Sequence, residues 1–321
     1  MKLDGLLQLL ADGAFHSGSE LGRILGISRS AVWKQMQRLQ ELGVDVYSVK
    51  GRGYRIPGGL DLLDAERLEQ QLPTSVSERL ERKELMIEVD STNNRALEAM
   101  RSGVARGLFA AEYQHAGRGR RGRQWISPLA SSLCFSLAWR FNSGAAALEG
   151  LSLAVGLALQ QALTREGVPG IGLKWPNDLL VNDAKLGGIL TELSGDAAGE
   201  CQVAIGIGLN VHLPDEMVAQ LDQPCTDLAR LGYTGSRTAL LAAIVSELIG
   251  VLEQFEASGF APLRSAWEKV NAFHGREIVL TTGPRRYRGV CLGVTDQGGL
   301  RLQTEAGQEV FHGGEMSVRL Q

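Results

Sequence analysis

The chain has 321 residues, is 44% hydrophobic and 21% charged, and has a mean hydropathy of -0.04, which is typical of a soluble globular protein with two or three domains. Its 4 cysteines lack CxxC or Cys/His spacing, no apolar run reaches the roughly 18 residues of a membrane span, and the N-terminus lacks a signal-peptide pattern. We therefore expect a cytoplasmic protein without disulfides, zinc or a membrane anchor. The net charge of -3 is divided unequally, because residues 1–58 carry 8 Lys+Arg against 5 Asp+Glu, so only this segment suits a polyanionic partner.

Three short helices are predicted before residue 44. An apolar stripe over 3–12, with spacings of three and four, predicts the first helix. Ser17 and Glu20 form a capping-box pattern that begins the second helix. Ser28 can cap the third, which we expect to end at Gly43. Two helices joined by a tight turn predict a helix-turn-helix unit.

The third helix and the segment after it predict a DNA-binding surface. Polar side chains fall opposite the apolar face of this helix, and the sequence VDVYSVKGRGYRIP predicts a hairpin, or wing, with a basic tip. The candidate DNA-binding residues are Arg29, Ser30, Lys34, Gln37, Lys50 and Arg52. The alternative is a protein-interaction or linker domain with a solvated charged face. We expect Trp33 to pack against the wing rather than to stack on a DNA sugar.

A strand-to-helix junction follows a predicted bridging helix over 60–73. Residues 86–89 alternate as a strand, and Asp90-Ser91-Thr92-Asn93 ends it and begins the next helix. Small polar side chains at such a junction suit a compact polar ligand, although a plain helix cap has the same pattern.

The segment QHAGRGRRGRQW, residues 114–125, has the spacing GxGxxG. Four arginines fill it and no helix follows, so we reject a dinucleotide site. Four guanidinium groups in a glycine-rich loop would repel one another until an anion neutralised them, which favours a phosphate-bearing ligand. A nucleic-acid-binding arm is the alternative.

Two further segments combine charged residues with glycines. Lys174 and Asp178 lie in GLKWPND, and Lys185 begins KLGGIL. They form either a site or a surface charge cluster. Gly206 and Gly208 interrupt an apolar strand, which indicates that something lies against it or that the sheet bends there. Beyond them, residues 236–270 predict a helix, and short alternating runs after Phe273 predict a small antiparallel barrel.

The motifs STNN, QHAGRGRRGRQW, KWPNDLLV, KLGGIL and GIGLN, in this order, resemble those of the biotin protein ligases, also called biotin–acetyl-CoA-carboxylase ligases. The N-terminal unit resembles the bifunctional subgroup, whose members also repress biotin-synthesis genes. The resemblance covers residues 3–319. It implies an α+β fold with a winged helix-turn-helix domain over 1–62, a mixed α/β ligase domain of class II synthetase type over 63–271, and an SH3-like barrel over 272–321.

The resemblance also implies a reaction in two steps. Biotin and ATP, with Mg²⁺, give biotinyl-5'-AMP and pyrophosphate, and a lysine of the biotin carboxyl carrier protein then accepts the biotin. The adenylate would also act as corepressor, in a homodimer that binds operator DNA of biotin-synthesis genes. No membrane partner is implied.

The residues that match the family's motifs form overlapping sets. The biotin site would contain Ser91, Thr92, Asn93, Gln114, Gly117, Arg118, Gly119, Arg120, Lys185, Gly188 and Gly206. The ATP and adenylate site would contain Arg118, Arg120, Arg121, Trp125, Lys174, Asn177, Lys185 and Asn210, with Arg123 and Arg319 as further candidates. Catalysis would rest on Lys185, Asp178 and Arg120, and no side chain is assigned to a metal.

The resemblance implies particular roles for two of these residues. Lys185 would meet the biotin carboxylate and the α-phosphate, and Asp178 would orient the incoming lysine rather than remove its proton. The arginine loop and a second loop within 211–235 would cover the adenylate. Three alternatives stay open: a ligand sensor without catalysis, a ligase for another cofactor acid such as lipoate, and a ligase whose DNA-binding domain no longer represses.

Overall fold

The computed structural model describes residues 2–142, 144–195, 199–219, 221–313 and 316–320. The helices of this part of the chain are α1 Lys2–Leu10, α2 Gly18–Leu25, α3 Arg29–Glu41, α4 Ala65–Gln71, α5 Thr74–Ser77, α6 Thr92–Arg101, α7 Leu151–Arg165, α8 Asp215–Val218, α9 Arg237–Ser258 and α10 Arg264–Lys269. Its strands are β1 Tyr47–Val49, β2 Gly53–Arg55, β3 Arg82–Val89, β4 Arg106–Gln114, β5 Ser132–Phe141, β6 Ile171–Lys174, β7 Asp178–Val181, β8 Ala184–Gly195, β9 Cys201–Asn210, β10 Glu277–Thr282, β11 Arg285–Val294, β12 Leu300–Thr304, β13 Gly307–Phe311 and β14 Met316–Leu320.

The N-terminal region is the predicted winged helix-turn-helix. Ser17 Oγ accepts a hydrogen bond from the backbone of Glu20 at 3.1 Å, and Ser28 caps α3 in the same manner. Gly26 ends α2 with a φ of 64°, a left-handed conformation that favours glycine. Helix α3 ends at Glu41, slightly before the predicted Gly43. Strands β1 and β2 form the predicted antiparallel wing.

The central region is a seven-stranded sheet in the order β3-β4-β5-β9-β8-β7-β6. Only the β3–β4 pair among these ladders is parallel. Alternation along β4 divides its side chains between two cores, since Phe109 packs in the α6 cluster while Leu108 and Ala110 belong to the cluster that contains α7 and α9. Helices therefore cover both faces, and the loops at the strand ends are left to form a site.

The segment that joins the winged helix to the central region contains a shorter helix than the sequence predicted. We predicted a helix over 60–73, but α4 begins only after Asp64, whose carboxylate caps it by accepting from the backbone of Arg67 at 2.9 Å. The residues just before α4 form no helix, and the backbone groups of Asp61, Leu63 and Asp64 bond to side chains of the central region instead.

A buried ion pair fixes this segment. The side chain of Arg237, at the start of α9, is 1% exposed and lies 2.5 Å from the carboxylate of Glu112 on β4. Arg237 Nε donates to the carbonyl of Asp61 at 2.8 Å, and the Glu112 carboxylate accepts from the backbone of Leu63 at 2.5 Å. The segment that joins the winged helix to the central sheet is thus held by two buried charges.

The predicted helix over 236–270 is interrupted. Helix α9 ends at Ser258, because Gly259 follows with a φ of 66° and Pro262 lies in a short 3₁₀ turn before α10. The apolar stripe of α9 is buried as predicted, with Leu240 and Leu248 fully inaccessible.

The C-terminal region is a five-stranded antiparallel sheet in the order β13-β12-β11-β10-β14. Leu280, Leu302 and Val318 are buried in the core that it shares with the central region. Trp175 Nε1 donates to the carbonyl of Gly298 at 2.9 Å, which ties this sheet to the turn between β6 and β7. The antiparallel small domain that the sequence predicted is confirmed.

All four cysteines are free. Two segments, Ala145–Arg165 and α9, have the length and apolar composition of a membrane span, which corrects the expectation that no segment reaches this length. Most of each is buried inside the fold, as in core helices of globular proteins.

Candidate functional site

A cavity of about 200 Å³ lies at one end of the seven-stranded sheet. The predicted residues that line it are Ser91, Thr92, Asn93, Gln114, Arg118, Gly119, Arg120, Arg121, Arg123, Trp125, Lys174, Asn177, Asp178, Lys185, Gly188, Gly206, Asn210 and Arg319. Gly117 is not part of the lining, and its carbonyl accepts a hydrogen bond from the backbone of Trp125 at 2.9 Å. Segments far apart in sequence thus meet around one space.

Two lysines flank one carboxylate in the cavity. Lys185 Nζ lies 2.7 Å from Asp178 Oδ1, and Lys174 Nζ lies 3.8 Å from Asp178 Oδ2. The three side chains are between 14% and 18% exposed, so they form a half-buried triad rather than a surface charge cluster. Burial lowers the pKa of Lys174, opposed by the charge of Asp178. The triad can meet an anionic ligand with two cations and an oriented acceptor.

The arginine loop folds back on itself. The backbone of Gly119 donates to the carbonyl of Arg123 at 2.7 Å, and Arg121 and Gly122 turn the chain with left-handed φ angles of 61° and 70°. The turn is a single 3₁₀ segment with no longer helix after it, consistent with rejecting a dinucleotide site. The loop carries backbone N–H groups and guanidinium groups along one side of the cavity.

Two of the loop's arginines are held by the protein itself, which corrects the expectation that an external anion alone would neutralise the loop. Arg118 Nη2 donates to the Glu192 carboxylate at 2.8 Å and to Asn94 Oδ1 at 2.8 Å. Arg120 Nη1 donates to Asn177 Oδ1 at 2.9 Å, and burial lowers its pKa. Glu192 lies outside the motifs, and Asn94, although it is the last residue of STNN, was given no role from the sequence.

Small polar groups form the floor of the cavity beside α6. Thr92 donates its backbone N–H to Gln114 Oε1 at 2.8 Å, and Ser136 Oγ lies 2.7 Å from Thr92 Oγ1. Ser91 and Thr92 are almost completely buried. The Ser91 side chain makes no capping hydrogen bond to α6, so its hydroxyl is not used as the plain helix cap that the sequence left open. This floor suits a compact polar group.

The glycines of β9 accommodate the protein's own side chains. A Cβ at Gly206 would collide with the carboxamide of Asn93, and a Cβ at Gly208 would collide with the indole of Trp125. The prediction that something lies against this strand is therefore correct, and the groups are side chains of this chain. Lys185 Nζ lies 5.6 Å from the Trp125 ring centroid, so the indole also borders the lysine triad.

Asn210 supports a neighbouring segment rather than projecting freely into the cavity. Its Nδ2 donates to the carbonyl of Thr226 at 3.1 Å, and Lys185 forms backbone hydrogen bonds with Pro224 and Thr226 at 2.8 and 2.9 Å. From the predicted second loop, Leu213, Met217, Leu221, Gln223 and Cys225 line the cavity. Sequence reasoning named none of them, because this stretch matches no motif.

The predicted DNA-binding side chains all lie on the surface of the winged helix. Arg29, Ser30, Lys34, Gln37, Lys50 and Arg52 are exposed. The Arg52 guanidinium stacks 4.1 Å from the centroid of the Phe15 ring, which fixes one side of the wing. Trp33 is 52% exposed on the same side of α3, so the expectation that it packs against the wing is wrong.

Metal-binding side chains are sparse in this cavity. Among the described residues, no group of three or more His, Cys, Asp and Glu side chains is placed to hold a metal ion. Asp178 is the one carboxylate in the described lining, and its two oxygens already pair with Lys174 and Lys185. This side-chain set does not form a protein-only cation site.

Comparison with known proteins gives three matches to family models along the chain. They are the HTH domain at residues 2–55, the Biotin/lipoate A/B protein ligase family at 85–210, and the Biotin protein ligase C terminal domain at 273–319. Bifunctional ligase/repressor BirA of Salmonella typhimurium is 40% identical over 317 residues, which are 98% of this chain and 96% of that protein. The chain belongs to the bifunctional biotin protein ligase family.

Two further relatives agree with this assignment. BirA of Escherichia coli is 39% identical over 315 residues, 98% of this chain and 96% of that protein. The structure of biotin protein ligase from Aquifex aeolicus in complex with biotin and ATP superposes with a TM-score of 0.64 at 29% identity, covering 75% of this chain and 100% of that one. The family resemblance and the fold class predicted from the sequence are confirmed.

Proposed function

We propose that this chain is an ATP-dependent cytoplasmic ligase that forms biotinyl-5'-AMP and transfers biotin to one lysine of the biotin carboxyl carrier protein of acetyl-CoA carboxylase. The observation that carries this proposal is the cavity in which the Lys174–Asp178–Lys185 triad lies beside a buried polar floor. The reaction needs both parts, because one substrate end is a neutral polar ring and the other is a carboxylate next to phosphates.

The floor would bind the ureido ring of biotin. Ser91 and Thr92, which are almost completely buried, and Gln114, which is partly buried, offer hydroxyl and amide groups, and a hydrogen bond to a ligand is strongest where the protein groups are shielded from water. The apolar tail of biotin would then pass through the cavity beside Trp125, and its carboxylate would reach Lys185.

In the first step, a biotin carboxylate oxygen attacks the α-phosphorus of ATP, and the bond to the pyrophosphate oxygen breaks. Negative charge grows on the phosphate oxygens, and preorganised cations stabilise that charge in a site that excludes water. Lys185, Arg120 and Arg121 line the cavity on the side of the arginine loop where these oxygens would lie. Because the lining forms no protein-only cation site, Mg²⁺ would enter with the ATP phosphates and neutralise part of their charge.

In the second step, the deprotonated amine of the carrier lysine attacks the acyl carbon of the mixed anhydride, and AMP leaves. A free lysine has a pKa of about 10.4, so the amine arrives protonated and must lose a proton before it attacks. Asp178 would accept a hydrogen bond from this amine and orient it, while Lys174 and Lys185 hold the carboxylate in place.

The N-terminal region would bind operator DNA of biotin-synthesis genes. Exposed cations on α3 and the wing suit phosphates, and the wing adds a second contact. We propose that the adenylate acts as corepressor by stabilising a homodimer that places two wings on a palindromic site. The domain limits stay those predicted from the sequence: 1–62, 63–271 and 272–321.

Exchange of labelled pyrophosphate into ATP tests the ligase proposal, with biotin in one reaction and lipoate in a second. Exchange that depends on biotin alone supports adenylation of biotin. Exchange with lipoate alone would instead identify a lipoate ligase. Absence of exchange with both acids would favour a ligand sensor without catalysis and would overturn the proposal.

A further inference from the structure

Glu192 on β8 connects two parts of the site that the proposed mechanism treats separately. Its carboxylate accepts from Arg118 Nη2 of the arginine loop at 2.8 and 3.1 Å. The same carboxylate accepts from Asn93 Nδ2 at 2.6 Å. The Glu192 side chain is 29% exposed, so this contact is partly shielded from solvent. One carboxylate thus holds the loop and a buried residue of the floor.

Two acceptors fix the orientation of the Asn93 carboxamide, namely the Glu192 carboxylate at 2.6 Å and the backbone carbonyl of Leu190 at 3.2 Å, and the contact with Glu192 is the shorter one. A carboxylate only accepts hydrogen bonds, so the amide nitrogen of Asn93 must face it, and the amide oxygen must point the other way. That oxygen, Asn93 Oδ1, lies 2.6 Å from Ser136 Oγ. Because a carboxamide oxygen cannot donate, the single proton of the Ser136 hydroxyl is used here.

The donor and acceptor roles of the next hydrogen bonds, down to the floor of the cavity, follow from this orientation. Ser136 Oγ also lies 2.7 Å from Thr92 Oγ1, and since its proton points to Asn93, Ser136 can only accept from the Thr92 hydroxyl. Thr92 Oγ1 lies 3.2 Å from Gln114 Oε1, a second acceptor for the same proton. The direction in which Thr92 donates therefore depends on a chain of contacts that begins at Glu192.

This chain is buried along its middle. Asn93 is 3% exposed and Ser136 is fully buried, so no bulk water replaces a contact that is lost. Gly206 leaves the space that the Asn93 carboxamide occupies, because any Cβ there would collide with it. The path from the loop to the floor is thus continuous and sterically fixed.

We propose that Glu192 is a positioning residue for biotin adenylation, which holds the arginine loop through Arg118 and orients the Thr92 hydroxyl through Asn93 and Ser136. This inference rests on the proposed function, since it requires that the floor binds biotin and that the loop covers the adenylate. Glu192 touches neither substrate in this account. It makes recognition of the ring and closure of the loop depend on one carboxylate.

The test compares Glu192→Gln with Ser136→Ala in the full-length protein. The readouts are the biotin Kd by calorimetry, the dissociation rate of biotinyl-5'-AMP, and the melting temperature. Glu192→Gln removes the charge that pairs with Arg118 and leaves Asn93 with the Leu190 carbonyl as its fixed acceptor, so both the Kd and the dissociation rate should rise at least about tenfold. Ser136→Ala breaks only the path to the floor and keeps the Arg118 contact, so the Kd should rise while adenylate dissociation should rise less than in Glu192→Gln.

Glu98→Gln is the matched control. Glu98 is an exposed carboxylate on α6 that pairs with Arg95 at 3.3 Å, outside the chain of contacts. It should change neither binding readout. A fall in the melting temperature of Glu192→Gln in step with its raised readouts would indicate a purely structural role and contradict the proposal. Adenylate dissociation as fast in Ser136→Ala as in Glu192→Gln would also contradict it, because the loop contact would then play no separate part.

The outcomes separate this inference from the proposed function. If wild-type protein exchanges pyrophosphate with biotin but Glu192→Gln binds biotin and retains adenylate within twofold of wild type, the positioning role is overturned and the ligase proposal stands. If wild-type protein shows no biotin-dependent exchange, both are overturned. As a second check, Arg118→Ala and Glu192→Gln should be non-additive, so that the combined variant accelerates adenylate dissociation by less than the product of the two single effects, because both changes remove the same contact.

Discussion

The winged helix and the cavity use their cations in opposite ways. On the winged helix, Arg29, Lys34 and Lys50 are exposed, and no ion pair with a carboxylate is found for them within the described residues. In the cavity, Lys185 and Arg118 pair with Asp178 and Glu192 inside the protein. A surface that meets a long polyanion gains from unpaired, solvated charge, whereas a pocket for a small ligand needs charges that are already positioned.

The largest expected effect comes from removing Glu112, whose carboxylate holds the segment between the winged helix and the region that contains the cavity. Glu112→Ala leaves Arg237 as a buried charge without its carboxylate, which costs about 3–5 kcal/mol. We expect the free energy of unfolding to fall by that amount in a denaturant titration. Glu78→Ala, at an exposed carboxylate between α4 and β3, should leave it unchanged. Equal stability of the two variants would show that the buried pair does not hold the segment.

Lys185→Ala should abolish most adenylation, whereas a substitution on the wing should not. Removing a preorganised group that stabilises transition-state charge costs roughly 100- to 1000-fold in rate. Pyrophosphate exchange measures this loss. Lys50→Ala removes an exposed lysine of the wing and serves as the control. If both variants exchange pyrophosphate at the wild-type rate, Lys185 is not part of the reaction.

Asp178→Asn should slow transfer more than adenylation. The amide keeps the size of the side chain but loses the charge that pairs with Lys174 and Lys185, so the incoming amine loses its oriented acceptor. We expect roughly a tenfold to hundredfold slower transfer from preformed adenylate to the carrier in single-turnover measurements. Transfer at the wild-type rate would contradict the assigned role.

Reversal of charge on α3 should weaken DNA binding and leave the ligase reaction intact. With Arg29→Glu and Lys34→Glu combined, operator affinity should fall at least about tenfold, and the salt dependence should flatten by about 0.9 for each lost phosphate contact. Fluorescence anisotropy at several salt concentrations measures both quantities. Arg67→Glu, at an exposed cation of α4, is the control. An unchanged salt slope would remove the DNA assignment from this helix face.

The smallest expected effect concerns pH. Burial lowers the pKa of Lys174, so this lysine loses its charge at a lower pH than a solvated lysine does. Pyrophosphate exchange should therefore decline on the alkaline side before the ordinary lysine range. Lys174→Arg keeps the charge across this range and should move the decline to higher pH. A decline at the same pH in both proteins would assign it to another group.

The winged helix was predictable because its signals are local. Caps at Ser17 and Ser28 and the left-handed Gly26 act within a few residues, and an exposed helix face follows directly from helical periodicity. Trp33 was misplaced because local spacing puts it beside the apolar stripe but does not determine how much of its surface other segments cover.

The cavity was predictable in its membership but not in its internal contacts. The motifs named nearly every group that carries charge in the lining, including Lys185 and Asp178. Glu192 was missed because it lies in an ordinary strand pattern and gains its role only when β8 brings it to Arg118 and Asn93. Asn210 likewise supports a loop that no motif identified. Such contacts join residues distant in sequence and depend on the three-dimensional fold.

The most direct test of the account is the complete reaction on an acceptor protein. Purified chain, ATP, Mg²⁺ and a biotin carboxyl carrier domain are incubated with biotin or with lipoate, and intact mass spectrometry follows the carrier. The account predicts one biotinyl group on the carrier with wild type and with Lys50→Ala, and almost none with Lys185→Ala. Modification by lipoate instead of biotin, or an unmodified carrier with wild-type protein, would contradict it.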